Sequence, residues 1–521
     1  MGYYNNQPKQ KTYYFHDYET FGVDPKSCQA SQFAGIRTDE NLNIIPDSEM
    51  NIYCKMSADN LPSPMACLVT NLTPQRIKQQ DSSVVFTEYE FIKKINDEMS
   101  KPNTSSVGYN NVNFDDEWTR NLLYRNYFDA FEREWKNGCS RLDGINFVMF
   151  AYLINPEILN FPQSKDENGE LLFDNQGNPL PSFKLEELSA ANGIVHENAH
   201  DALSDVKALI GVLKIIKDKD PELFNKVEYL NNKRNASQLL NDLKDKPMLH
   251  VSSFYGKVNN SCGVVQYLGQ DPSNPNKHYV FDLLKDPNVL LKSSEDIKEQ
   301  LFSSNDELEE MDLERAGIKN IVLNKLPLFA GLGEISHRAD DLGFKDNRDL
   351  IVNNKNKLND ILNQININEK LGEIFKTEFP QETDPDYRIY DGFPTNNDKS
   401  KQTLLRNYIE SDEMVFDDTV TFTFESPKYN ELFYRFKGRS FPEAMTRDEK
   451  VRWNKYVIDK LNSPESRAEQ TFETFFKELE ELNELFKDQP EKMEILDELK
   501  EHGENHPANK SKKKPKRKKT P

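Results

Sequence analysis

Apolar and β-branched residues open the chain in short runs. TYYFHDY, QFAGIRTD and MNIYCKM fall within or close to residues 12–54 and are parted by turn residues such as Asp24-Pro25 and Pro46-Asp47. That pattern predicts three strands. The period then lengthens: Val84, Val85, Phe91, Ile92 and Ile95 share one face and predict a helix over 84–99. Residues 106–109 read as a short strand, and 116–131 and 144–154 as helices. The polar stretch QSKDENGELLFDNQGNPL, 163–180, is rich in Gly, Asn and Asp and predicts an exposed loop or small hairpin. Residues 183–192 predict a helix closed by Gly193, and 202–216 a strongly apolar helix. From 248 to 330 the runs MLHVSSFYG, CGVVQYLG, HYVFDLL and IVLNKLPLFA are β-rich. Beyond 336 the pattern is helical and charged, with breakers between Pro380 and Pro394 that suggest a linker and final helices over 446–501.

The 521 residues allow two to four domains. No apolar run approaches the length of a membrane span, and the first residues, MGYYNNQPKQK, lack the apolar core of a signal peptide. Gly2 does not fit a myristoylation site, because Asn6 stands where Ser or Thr is required. Five scattered cysteines (Cys28, Cys54, Cys67, Cys139 and Cys262) form no CxxC pair, which suggests a reducing cytoplasm and argues against a structural zinc site. Net charge is −20, and eight Lys/Arg crowd the last twelve residues, KSKKKPKRKKTP, leaving the body near −28. So acidic a body argues against a polyanionic partner. The objection weakens if some carboxylates hold cations and basic residues cluster locally.

Three stretches supply such carboxylates. In HDYETFG, Asp17 and Glu19 sit two apart on a strand and project from one face. Adjacent carboxylates repel unless a proton or a hard, oxygen-seeking cation intervenes. In YNNVNFDDE, Asp115 and Asp116 stand at a helix start, where an N-cap alone would also favour Asp. In NAHDALSDV, Asp205 lies one turn inside an apolar helix and His200 precedes it by five residues. A carboxylate there needs a partner if it faces inward. Asp116 competes with Asp115, and Asp201, four residues before Asp205, competes with Asp205. Each stretch alone also fits a solvated strand end or a helix cap.

In the order DxE, D, HxxxxD, the set resembles the DEDD superfamily of 3′→5′ exonucleases, in its His-containing branch. FHDYETFG, YNNVNFDDE, LPSFKLEELSAANGI and NAHDALSDV are similar to the family of bacterial exodeoxyribonuclease I, over about residues 12–495. The resemblance implies an α/β fold: an RNase H-like mixed five-stranded sheet exonuclease core, then an SH3-like β domain and a C-terminal helical domain. The expected divisions are a flexible 1–11, the core over 12–220, the SH3-like domain over 221–375, the helical domain over 376–502 and a disordered basic tail over 503–521.

The implied chemistry is hydrolysis of single-stranded DNA from its 3′ end to 5′-mononucleotides, in DNA repair and recombination, with two Mg²⁺ about 3.5–4 Å apart (Mn²⁺ being the substitute). Asp17, Glu19, Asp115 and Asp205 would be the ligands and His200 the general base; the matching motif positions favour Asp115 and Asp205 over their rivals. In EWTRNLLYRNYFDAFEREW, positions 120, 124, 127, 131 and 135 recur at helical spacing. Arg120, Phe131 and Trp135 match positions that meet the strand, and Glu19 would also touch substrate. Lys184 stands where Arg is expected, keeping the charge without the bidentate fork. Met149 also replaces an expected basic residue. Lys233, Arg234 and Lys257 would continue a basic path. The resemblance further implies a monomer that binds the acidic C-terminal peptide of the single-stranded-DNA-binding protein. Competing readings are a 3′→5′ exoribonuclease with the same site, which the roughly 300 residues beyond the core disfavour, and an inactive single-stranded-DNA-binding scaffold, which the complete carboxylate set disfavours.

Overall fold

A computed structural model describes residues 10–174, 176–195, 201–376, 382–411 and 415–509. The chain forms two compact units. One gathers the described parts of 1–141, 197–207 and 381–521; the other gathers those of 142–196 and 208–380.

The first unit is built on β1 (Thr12–Thr20), β2 (Ala30–Thr38), β3 (Met50–Cys54), β4 (Val85–Phe86) and β5 (Thr104–Gly108), with β6 (Ser140–Asp143) carrying the chain out of it. The order across the sheet is β4-β3-β2-β1-β5-β6. β1 is antiparallel to β2 and parallel to β5, so the sheet is mixed, with the five expected strands and a sixth of two residues, β4. β1 and β2 are almost wholly buried, although polar residues such as His16, Gln32 and Arg37 stand among their apolar ones.

Two boundaries differ from the pattern-based reading. The helix expected over 84–99 spans Glu88–Met99, because Val85 and Phe86 pair with Tyr53 and Cys54 at the sheet edge. Thr87 and Glu90 form a reciprocal capping box that fixes the start. The helix expected over 116–131 is Asp115–Arg125. It ends because Tyr127 is fully buried with φ +63°, outside helical space, and donates from its hydroxyl to the Tyr429 carbonyl at 2.6 Å. Arg125 and Asn126 meanwhile converge on buried Glu88.

The same unit contains helices Pro427–Ser440, Arg447–Asn462, Phe472–Leu485 and Pro490–Asn505, whose apolar faces share one core with the sheet, from Tyr14, Phe33 and Trp118 to Phe433, Phe475 and Leu496. The suggested linker is anchored in its described part: Asp386 is buried and paired with Arg435 and Arg439, and Arg439 also grips buried Asp59. Burial works against the charge of Asp386, but Arg439 and Arg435 outweigh it and hold the carboxyl well below the usual range. Residues 503–509, expected to open a disordered tail, instead finish the Pro490–Asn505 helix and pack against the unit, with Ala508 and Asn509 buried and Asn462 Nδ2 donating to the Ala508 carbonyl at 3.0 Å; residues 510–521 and 1–9 lie outside the described residues.

The second unit holds a five-stranded antiparallel sheet, ordered β10-β9-β8-β7-β11, from β7 (Met248–Val251), β8 (Cys262–Gln270), β9 (Lys277–Asp282), β10 (Ile318–Val322) and β11 (Leu328–Gly331). It matches the β-rich stretch read from the sequence. Isolated bridges Gln163–Pro181, Lys165–Leu171 and Phe173–Pro179 make 163–180 a small hairpin structure. Helix Leu185–Ala191 is followed by Gly193 at φ +71°, the left-handed conformation that a helix-ending Gly supplies.

Candidate active site

β1 presents Asp17 opposite Ala34 and Glu19 opposite Gln32, with an irregularity in pairing just beyond Glu19. Both are half-buried on one face of the strand. The next motif residue, Gly22, has a reason of its own: a Cβ there would run into the Glu469 carboxylate. Glu469 accepts the Val23 and Asp24 amides at 2.7 and 3.0 Å and so fixes the turn after β1.

Asp115 begins the Asp115–Arg125 helix and is buried at 2% exposure. It accepts the Tyr18 amide at 3.2 Å, which brings the helix start against β1 between the two strand carboxylates. Asp205 lies in the first turn of helix Ala202–Lys219. Asp17, Glu19 and Asp205 each offer a ligand atom, all within 4.8 Å of one another.

The electrostatics follow from that crowding. Burial, then Asp115, Glu19 and Asp205, push Asp17 well above the usual carboxylate range. Burial, then Asp205, Asp115 and Asp201, push Glu19 up to about 8. An all-oxygen anionic set this tight fits a hard divalent cation, whose charge removes the repulsion that otherwise demands protons. Asp17, Glu19, Asp115 and Asp205 are the residues that would hold it.

The two rivals are occupied elsewhere. Asp116 is fully buried, with Arg133 Nη2 at 2.8 Å, Arg141 Nη1 at 2.6 Å and Asn111 Nδ2 at 3.2 Å. Burial opposes its charge, yet Arg141, Arg133 and Arg120 hold it well below the usual range. Asp201 accepts the Ser204 amide and hydroxyl at the helix start and a Gln32 amide hydrogen at 3.2 Å. His200, with 196–199, lies outside the described residues.

Residues 14–213 match the family model described as Exonuclease, 231–377 the Exonuclease I SH3-like domain, and 383–506 the Exonuclease I C-terminal domain. Exodeoxyribonuclease I of Haemophilus influenzae is 35% identical over 499 residues, covering 95% of this chain and 98% of that protein. The chain belongs to the exodeoxyribonuclease I family. The Escherichia coli member is 32% identical over 504 residues, covering 96% and 99%. Among solved structures, the zinc-bound form of an E. coli ExoI–ssDNA complex is similar with a TM-score of 0.85 at 31% identity, covering 96% of this chain and 100% of that one. E. coli Exonuclease I in complex with a dA16 oligonucleotide gives a TM-score of 0.84 at 31% identity, covering 95% and 100%. A moderately thermophilic Exonuclease I from Methylocaldum szegediense gives 0.82 at 35%, covering 95% and 99%.

As a member of the exodeoxyribonuclease I family the protein is a nuclease that depends on a divalent metal. Its further site candidates are scattered in character. Arg120 is nearly buried: Glu134 takes its Nε and Nη2 at 2.7 and 3.0 Å, and Glu117 its Nη1 at 2.6 Å. Its guanidinium lies 5.6 Å from the Phe131 ring centre. Trp135 is 66% exposed. Phe131 and Trp135 flank a 3-10 turn, not a helix, so the shared helical face expected for 120–135 does not exist. Tyr390 and Phe393, which the sequence reading passed over, stand 6.1 and 5.9 Å from Phe131, and Tyr390 hydrogen-bonds Glu117. Their signal was the exposed YDGF run among breakers. In the second unit Lys184 is exposed and pairs with Glu187 at 3.2 Å, and Lys233 begins helix Lys233–Leu243, also exposed. Arg234 and Lys257 are exposed there too, whereas Met149 is buried in helix Gly144–Ile154. Arg133 and Arg141, the partners of Asp116, were not legible as such, because their pairing joins distant positions.

Proposed function

We propose that this chain degrades single-stranded DNA from the 3′ end to 5′-mononucleotides, with Mg²⁺ as the working ion. The convergence of Asp17, Glu19 and Asp205 with Asp115 against β1 is the observation that supports this reading. Two ions held there would polarise the scissile phosphate and lower the pKa of the attacking water. Asp17, which Asp115, Glu19 and Asp205 all crowd, would help to hold them. Glu19 would also orient the terminal nucleotide. His200 would accept the proton of the attacking water as its oxygen bonds to phosphorus and the 3′ oxygen departs.

Arg120, Phe131, Trp135, Lys184 and Lys233 would engage the strand, the aromatics by stacking and the cations at phosphates. The working divisions are a core over 12–220, an SH3-like domain over 221–375 and a helical domain over 376–502. The protein would act as a cytoplasmic monomer in DNA repair and recombination and bind the acidic C-terminal peptide of the single-stranded-DNA-binding protein. In the described residues no helix is long and apolar enough to cross a membrane.

The test uses end-labelled oligonucleotides of one sequence, as single-stranded DNA, single-stranded RNA and duplex DNA, each with Mg²⁺ and with EDTA. Metal-dependent mononucleotide release from the single-stranded DNA alone is expected. Equal loss of RNA would overturn the substrate, and loss in EDTA the metal site.

A further inference from the structure

The second unit has a small cavity of about 180 Å³ lined by Ser237, Leu240, Asn241, Lys244, Tyr267, Gln270, Pro275 and His278. Two elements build it. Ser237, Leu240, Asn241 and Lys244 follow helical spacing on and just after helix Lys233–Leu243 and so share one face. Opposite stand Tyr267 and Gln270 of β8 and His278 of β9, where the register shifts between Tyr267 and Gly269. Such a bulge re-aims side chains that a regular ladder would place elsewhere. The helix end is tied down, since Gln266 Nε2 donates to the Lys244 carbonyl at 2.8 Å.

The chemistry of the lining is one-sided. It includes a cation, an imidazole, two carboxamides and two hydroxyls, and no carboxylate, in a chain whose net charge is −20. Tyr267 Oη and His278 Nδ1 lie 3.1 Å apart. With the phenol donating, His278 carries its proton on Nε2 and keeps a donor to offer. The Gln270 amide is held by the Pro275 carbonyl at 2.9 Å. Among the described residues, the Ser237 hydroxyl, the Asn241 amide and the Lys244 ammonium group have no hydrogen-bond or ion-pair partner. Several donors facing one space, with one full positive charge and no anion to satisfy them, are what an oxyanion requires. The cavity has room for one phosphate group with a water or two.

We propose that this cavity is an oxyanion site, taking a phosphate group through Lys244, His278, Asn241 and Ser237. It does not depend on the nuclease reading, since none of these residues belongs to the carboxylate set. Two sources share the chemistry: the phosphomonoester of a released mononucleotide, and a phosphodiester of the DNA strand.

The experiment is calorimetric titration of the full chain in EDTA and a phosphate-free buffer. One arm uses inorganic phosphate and thymidine 5′-monophosphate. The other uses a short oligothymidylate with the Asp205→Asn protein, so that no strand is cut. Saturable phosphate binding is expected, weakened at least about tenfold by Lys244→Ala and abolished by Asn241→Asp, which plants a like charge in the cavity. Both positions are exposed, and unchanged melting temperatures would show that the variants fold. An effect of Lys244→Ala on the mononucleotide alone identifies a product site; an effect on the oligonucleotide identifies a strand contact. No saturable phosphate binding, or binding indifferent to both substitutions, would overturn the site, whatever the nuclease assays show.

Discussion

Replacing Asp17 or Asp205 by Asn keeps shape and removes the charge that a cation needs. Each change is expected to abolish hydrolysis while oligonucleotide binding persists in a gel-shift assay; near-normal turnover in either would refute the assigned centre. His200→Ala should lower kcat by about 10²–10⁴-fold, the range for loss of a general base, in single-turnover assays. Asp116 plays a different part from its neighbour. It is buried between Arg133 and Arg141, so Asp116→Ala takes the carboxylate away from fully buried Arg133, while Arg141 keeps Glu134. A loss of about 3–5 kcal/mol of stability is expected from chemical denaturation. His250 carries a pH signature. It is buried beside the Tyr255 hydroxyl at 2.9 Å, and burial, then Lys319, push its pKa from 6.5 down to about 3. Above the unfolded value both states are neutral; below it the unfolded chain binds a proton that the fold refuses. Its contribution is therefore present above about pH 6.5 and lost as pH falls, at about 1.4 kcal/mol per unit. The His250→Gln variant should lose less stability than the parent between about pH 7 and pH 5, and an equal loss would show that His250 is not the group responsible.

At the level of elements, apolar periodicity located strands and helices well but misjudged where one helix starts and where another stops. Val85 and Phe86 continue the apolar face of the helix that follows, yet the edge of β3 claims them as β4. Tyr127 continues the spacing of the 115–125 helix, yet its ring is needed in the core beside Phe424 and Phe436, and the backbone turns to φ +63° to put it there. Tertiary packing overrides local preference in both cases. The consequence reaches the site, because Phe131 and Trp135 then sit on a turn, with Phe131 next to Arg120, Tyr390 and Phe393, residues far apart in sequence.

Across the whole molecule, net charge is a poor guide to function. The −20 includes carboxylates that repel one another at one place and others cancelled by buried arginines, such as Asp59, Asp116 and Asp386. The first kind destabilises the metal-free protein. Glu19, raised from 4.5 to about 8, favours the fold below its unfolded value and loses that contribution as pH rises through about 8. Mg²⁺ should therefore raise the melting temperature more at about pH 8 than at about pH 5, and Glu19→Gln should shrink the difference. Equal shifts at both pH values in both proteins would break the link between charge crowding and metal binding.

The four motif stretches carried the enzyme class through their resemblance to a known exonuclease family, and the strand period alone put Asp17 and Glu19 on one face. The sequence also located the β-rich stretch at 248–330 and the late helices. It left Asp115 against Asp116 and Asp201 against Asp205 open on the residues themselves. The fold separates the members of each pair through contacts distant in sequence: the Tyr18 amide on Asp115, the two arginines on Asp116, and Gln32 on Asp201. Which segments form one core, and which side chains line the oxyanion cavity, depended on the same kind of long-range packing, which no local period encodes.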